Sequence, residues 1–242
     1  MDSHSISEPQ YREIKDTQLT VEQFNKILCP NLRIGVRMGL LNPDKYGWVS
    51  SAEMKNFLNY IGAKKKSQVL KQLVSVSEGA TEFKRKDHIN IIELKGTRLD
   101  HGSSSGILNN THGFSEERLD HLKSFSDDGK CLHKKEMAAA ANDFHRCPVN
   151  FKSNLGTNIQ SLEISTVMEI YAQRDAQGRR FFSMDDIDCI WKHNRFPEYW
   201  QRPKKGFYGT LSALFKFFYM FSVRWRLKLF HRHEHKKHPA CH

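Results

Sequence analysis

The sequence predicts an all-α domain followed by a basic, aromatic-rich C-terminal tail. Apolar residues recur at three-to-four spacing over most of the chain, and strand-like alternation is confined to one short run. The third observation is where the charge lies. Residues 201–242 carry 10 Lys and Arg against one acid, which leaves 28 basic and 26 acidic residues for positions 1–200. The body is close to neutral, so the net charge of +11 belongs to an appendage. With no RRM-like aromatic string or zinc finger in the body, nucleic acid is not an expected partner. A chain of 242 residues with 38% hydrophobic content supports one core. The division read from this is a polar segment at 1–19, a helical domain at 20–203 and the tail at 204–242.

Helical periodicity marks segments 20–28, 51–62, 67–78, 115–126, 132–144, 159–173 and 184–193. Thr20 and Ser51 are placed to cap the first two, and Gln23, three residues after Thr20, completes a capping box there. "INIIEL" (89–94) is the one extended run. "HGSSSGILNNTHG" (101–113) and "RDAQGRR" (174–180) are rich in turn formers and predict loops. The first is longer than a plain helical bundle requires, and long loops of this kind tend to carry function.

A further helix begins at Pro30. Proline suits the first helical position, which makes Cys29 the N-cap and aims the unpaired first-turn amides at its sulfur. A thiol so placed ionises readily and is a candidate thiolate ligand. Leu32, Val36 and Leu40 form one apolar stripe of this helix and Ile34, Met38 and Leu41 another, so it is expected to be buried. Cys147-Pro148 repeats the dipeptide. The five cysteines, Cys29, Cys131, Cys147, Cys189 and Cys241, are odd in number and contain no CxxC pair, which predicts isolated thiols in a reducing compartment. The N-terminal stretch has no apolar run, so no secretory signal and an intracellular location are expected.

A second reading competes for the same region. Asn42, Asp44, Gly47, Val49, Ser50 and Glu53 fall at positions 1, 3, 6, 8, 9 and 12 of an EF-hand calcium loop. Tyr46 at position 5 offers no ligand, and the turns at Gly129 and Gly178 place Lys135 and Met184 at position 12. The alternative is therefore a heme-free helical module, calcium-binding through a degenerate, unpaired EF-hand or purely interactive, anchored to a membrane by its tail.

Residues 29–54, "CPNLRIGVRMGLLNPDKYGWVSSAEM", resemble the opening of the heme-thiolate peroxidase family, the fungal chloroperoxidases and unspecific peroxygenases. That family carries a Pro-Cys-Pro, an Asn-containing helix, a His-Gly-like turn and a Ser/Thr-capped helix. Leu28 stands where the first proline would be. "LDHGSSSGILNN" (99–110) resembles the family's Glu-His-Asp-x-Ser segment, and "IQSLEISTV" (159–167) the helix bearing its catalytic glutamate. In "YAQRDAQGRRFFSMDDIDCIWKHNRFPEYW" (171–200), Asn194, Arg195, Pro197 and Trp200 match the terminal Glu-Arg-x-Pro and Trp.

The resemblance implies a single helical domain of the chloroperoxidase type around heme b. Cys29 would be the axial iron ligand and Glu163 the acid-base that handles the proton of hydrogen peroxide, with His101 holding Glu163 in place. Asp100, Ser104 and the His101 carbonyl would hold Mg2+, or another divalent cation, beside a heme propionate. The expected activity is peroxidase or peroxygenase oxidation of a small organic substrate, or of a halide. Besides Leu28, positions of the distal segment depart from the pattern: Asp100 is one methylene shorter than the family glutamate, Gly102 replaces an acid, and Asn109 stands where a carboxylate orients the histidine. Glu169 and His145 are nearby rivals for the acid-base role.

The tail reads differently from the body. From Phe207 to Val223 its only charge is Lys216, and Arg224, Trp225, Arg226 and Lys228 follow. Seventeen residues interrupted by a lysine are short for a membrane span, which needs about 20. Residues 206–230 are instead expected to lie on an anionic membrane surface.

Overall fold

The computed structural model describes residues 8–27, 29–62, 87–92, 108–109, 113–144 and 167–203, with the backbone alone at 108, 109, 113 and 141–144. Within these residues the all-α expectation fails. Helices alternate with short antiparallel strands that form three small sheets, so the fold is mixed α/β.

The chain opens with a 3-10 turn (Ile14–Asp16) and α1 (Val21–Asn25), capped by the Thr20–Gln23 box that the sequence predicts. Helix α2 spans Pro30–Arg37, and the Arg12 side chain donates to the Val36 and Leu41 carbonyls at its far end, at 3.0 and 2.7 Å. Strand β1 (Trp48–Ser50) runs directly into α3 (Ser51–Tyr60). The N-cap of α3 is Ser50, one residue earlier than expected: its hydroxyl accepts from the Glu53 amide at 3.1 Å. Strand β2 (His88–Asn90) pairs with β1, so the start of the "INIIEL" run is extended, and Ile91 and Ile92 bend away.

The loop predicted at 101–113 contributes β3 (Leu108–Asn109), which pairs with β4 (Gly113–Phe114). Helix α4 (Glu116–Lys123), β5 (Cys131–His133) and α5 (Lys134–Phe144) follow. Residues 167–171 form α6. The turn predicted at 174–180 is a hairpin linking β6 (Gln173–Arg174) to β7 (Arg180–Ser183), which ends at α7 (Met184–Ile187) and a π-helical turn (Asp188–Lys192).

One design repeats in β1, β5 and β7: a three- or four-residue strand hands over to a helix without a linker. Ser50 and Ser183 end their strands as N-caps, and in the second unit Glu136 reaches back to the His133 amide. The antiparallel pairs set the middle of each strand into the core. Val49 faces Ile89 and Leu132 faces Phe182, and all four are buried. Around them lie Ile34, Leu41, Met54, Phe57, Leu119 and Ile187 in one continuous core. Such strands escape sequence periodicity because two to four residues are too few to register an alternation.

Residues 194–200 close the molecule between α3 and α6. The Phe196 and Trp200 rings stack at 4.1 Å with 11° between their planes, and Tyr60 packs on both. The Trp200 indole N–H donates to the Ile170 carbonyl at 2.9 Å and the Tyr199 hydroxyl to the Tyr171 carbonyl at 2.5 Å.

Candidate functional site

Cys29 occupies the N-cap of α2 with an extended backbone (φ −80°, ψ 119°), and Pro30 opens the helix as the sequence predicts. The residue is half-buried against the core, and its side chain does not accept the capping bond from the first-turn amides. The sulfur therefore meets the positive end of the helix through its field, without a capping hydrogen bond. The predicted burial of α2 holds, since Pro30 through Val36 are all buried.

Two polar side chains in this apolar helix were passed over in the sequence. Asn31 is 7% exposed, and among the described residues its Oδ1 has no hydrogen-bond partner. Arg33 is 2% exposed. Its Nε donates to Asn194 Oδ1 at 2.8 Å, its Nη1 to the Phe24 and Ile27 carbonyls at 3.3 Å each, and the guanidinium lies 4.3 Å from the centre of the Phe24 ring. Burial alone pulls its pKa down to about 10. Asn194 is itself buried, with a left-handed φ of 51°. Thus two of the sequence blocks that carry the family resemblance, around Cys29 and around Asn194, meet through Arg33. The signal for Arg33 was a charge set between the two apolar stripes of "LRIGV".

Among the other expected site residues, Asp100, His101, Ser104 and Glu163 lie outside the described residues, as do Gly102, His145 and Cys147. Asn109 is placed as backbone on β3, opposite Gly113. The rival Glu169 is 6% exposed, and its Oε1 accepts from Arg180 Nη2 at 2.6 Å.

The loop read as a calcium site closes on itself. Asp44 Oδ1 accepts from the Tyr46 and Trp48 amides at 2.8 and 3.0 Å, and Glu53 Oε1 from the Asn42 amide and side chain at 2.5 and 2.8 Å. Strand β1 within it is paired, contrary to the unpaired loop expected.

Cys29, Cys131 and Cys189 form no disulfide. Cys131 offers a contrast to Cys29. Its sulfur lies 3.6 Å from both Asp128 Oδ2 and His133 Nε2, and burial together with the Asp128 charge pushes its pKa up, which keeps it a thiol. Among the described residues no helix is long and apolar enough to cross a membrane. No protein-family model matches this chain, and no curated protein matches it.

Proposed function

We propose that the protein is a heme-thiolate peroxidase or peroxygenase that uses hydrogen peroxide to oxidise a small organic molecule or a halide. The observation that carries this reading is Cys29, half-buried at the positive end of a helix that is buried from Pro30 to Val36. The reading rests on this site and on the order of the sequence blocks, not on the fold class, which does not by itself imply function.

The donor chemistry at α2 fits heme b. A cysteine at a helix N-terminus favours the thiolate, and the buried Leu32, Ile34 and Val36 make the surroundings of α2 apolar. Cys29 Sγ would hold the iron. When bound, heme would supply the oxidising chemistry, and the Cys29 thiolate would tune it by donating electron density. Glu163 would take the peroxide proton and return it to the leaving oxygen, with His101 fixing the carboxylate by a charge-assisted hydrogen bond. Asp100, Ser104 and the His101 carbonyl would supply the hard oxygen donors that Mg2+ requires. The basic, aromatic segment 206–230 would bring the enzyme to an anionic membrane surface.

The test is a spectrum of the heme-reconstituted full chain. The reduced carbon monoxide complex should show the red-shifted Soret band of thiolate ligation, lost in Cys29→Ala and kept in Cys147→Ala. The reverse pattern would move the ligand to the second Cys-Pro. A colourless protein that binds calcium would replace the proposal with the heme-free calcium module.

A further inference from the structure

We infer that Arg33 and Asn194 are positioning residues for Cys29, so that residues near the C-terminal end of the domain hold the sulfur in place; the inference rests on the heme-thiolate reading for what that sulfur binds. The argument begins with an energetic oddity. Arg33 is buried, yet among the described residues it forms no ion pair; its partners are neutral oxygens and one ring. Taking a cation out of water for neutral acceptors is unfavourable, and an apolar side chain would suit a helix flanked by Leu32 and Ile34 better. What the charge secures is geometry. Its Nη1 fixes the Phe24 and Ile27 carbonyls on the chain leading into Cys29, while the backbone of the same residue makes the first helix bond, its amide donating to the Cys29 carbonyl at 3.1 Å as any residue there would. Phe24 and Ile27, just before Cys29, are thereby held on one guanidinium.

That guanidinium is fixed in turn from 161 residues away. Asn194 Oδ1 accepts from Nε at 2.8 Å while its Nδ2 donates to the Lys192 carbonyl at 3.1 Å. The side chain is therefore held at both ends. A left-handed φ is costly for most residues and tolerated by asparagine. The Arg195 amide, donating to the Cys189 carbonyl at 2.9 Å, ties the same turn to the π-helical segment. Arg33 and Asn194 do not act on substrate; they act on Cys29 through the backbone that carries it.

The experiment compares full-length wild type with Asn194→Gly, Asn194→Asp and Arg33→Lys. Glycine removes the acceptor and leaves the left-handed backbone unstrained, whereas aspartate keeps the acceptor. At one fixed pH without heme, native-state iodoacetamide labelling of Cys29 is read by peptide mass against Cys131 in the same molecule. A hydrogen bond to a charged group changes local opening by about tenfold or more. Asn194→Gly and Arg33→Lys should therefore label Cys29 at least about tenfold faster relative to Cys131. Asn194→Asp should label at the wild-type rate. An unchanged ratio, or both cysteines accelerating together, would overturn the inference, the second because it marks ordinary destabilisation. With heme, Asn194→Gly should also lose part of the thiolate Soret band. If the labelling pattern appears but the wild type never shows that band, the positioning role stands and the heme reading fails.

Discussion

Glu169 is the residue on which a structural and a catalytic role can be separated most cleanly. Its Oε1 lies 2.6 Å from Arg180 Nη2, and Arg180 Nη1 donates to the Met168 and Glu169 carbonyls at 2.8 Å each, so the pair joins α6 to β7. Both side chains are largely out of water, at 6% and 14% exposure. Glu169→Gln keeps an acceptor oxygen but removes the negative charge facing the Arg180 guanidinium, and breaking a buried pair in this way costs about 3–5 kcal/mol. Because the two carbonyl bonds survive, the lower end, about 3 kcal/mol, is expected. For a chain of this size that lowers the thermal midpoint by about 6–12 °C. Thermal and urea unfolding followed by circular dichroism measure it. Replacing both partners by Met should restore only part of the loss, since the apolar pair carries no desolvation cost but gives up the two Arg180 bonds to the Met168 and Glu169 carbonyls. If Glu169→Gln unfolds at the wild-type midpoint yet reacts slowly with peroxide, the ion pair is not structural and Glu169, rather than Glu163, is the acid-base.

Gly47 has a φ of 85°, and a Cβ there would lie 2.4 Å from Ile92 Cδ1. Gly47→Ala should cost about 2–5 kcal/mol, the sum of left-handed strain and overpacking, as read by urea denaturation; a loss under about 1 kcal/mol would mean that Ile92 yields freely. Asp128 accepts from the Lys130 and Cys131 amides and then the Ser126 hydroxyl, which hold its carboxyl well below the ordinary 3.8. Its stabilising effect is thus complete above pH 3.8 and is lost progressively as pH falls from there to the depressed value, so the stability gap to Asp128→Asn should narrow steadily below 3.8 and close only well beneath it. A carboxyl titration by NMR centred at 3.8 would refute this. Finally, the full chain should co-sediment with anionic vesicles in a salt-sensitive manner, and a chain ending at Pro203 should stay folded and lose that binding; vesicle-independent behaviour of the full chain would remove the membrane role.

Burial of α2 was legible because its two apolar stripes leave little polar surface, and the Thr20 box because capping is local chemistry. Ser50 and Ser51 are both good caps, and sequence alone favoured the wrong one. The choice falls to Ser50 because β1 pairs with β2 and keeps that residue extended, a fact stored in residues 88–90. The other strands escape notice because each is shorter than a pattern, and for β1 with β2 and β5 with β7 the partner also lies far along the chain. In the candidate site, Cys29 was visible through its proline. Arg33 was not, because its meaning depends on Asn194, and no local rule links positions so far apart.

The pairing of β5 with β7 has a consequence for how this chain can vary. Leu132 and Phe182 are fixed opposite each other in the core, so the chain between the two strands is a closed loop anchored at both ends. Closure entropy grows only with the logarithm of loop length, and doubling such a loop costs about 0.6 kcal/mol. A single buried methylene contributes about as much. That interval, where Glu163 lies, also carries α5, α6 and β6, whose Met137, Ala138, Val167, Met168 and Tyr171 lie in the same core, so only changes of length outside those elements are this inexpensive to the strands that anchor it. Substrate range could diverge there while the framework holding Cys29 stays the same.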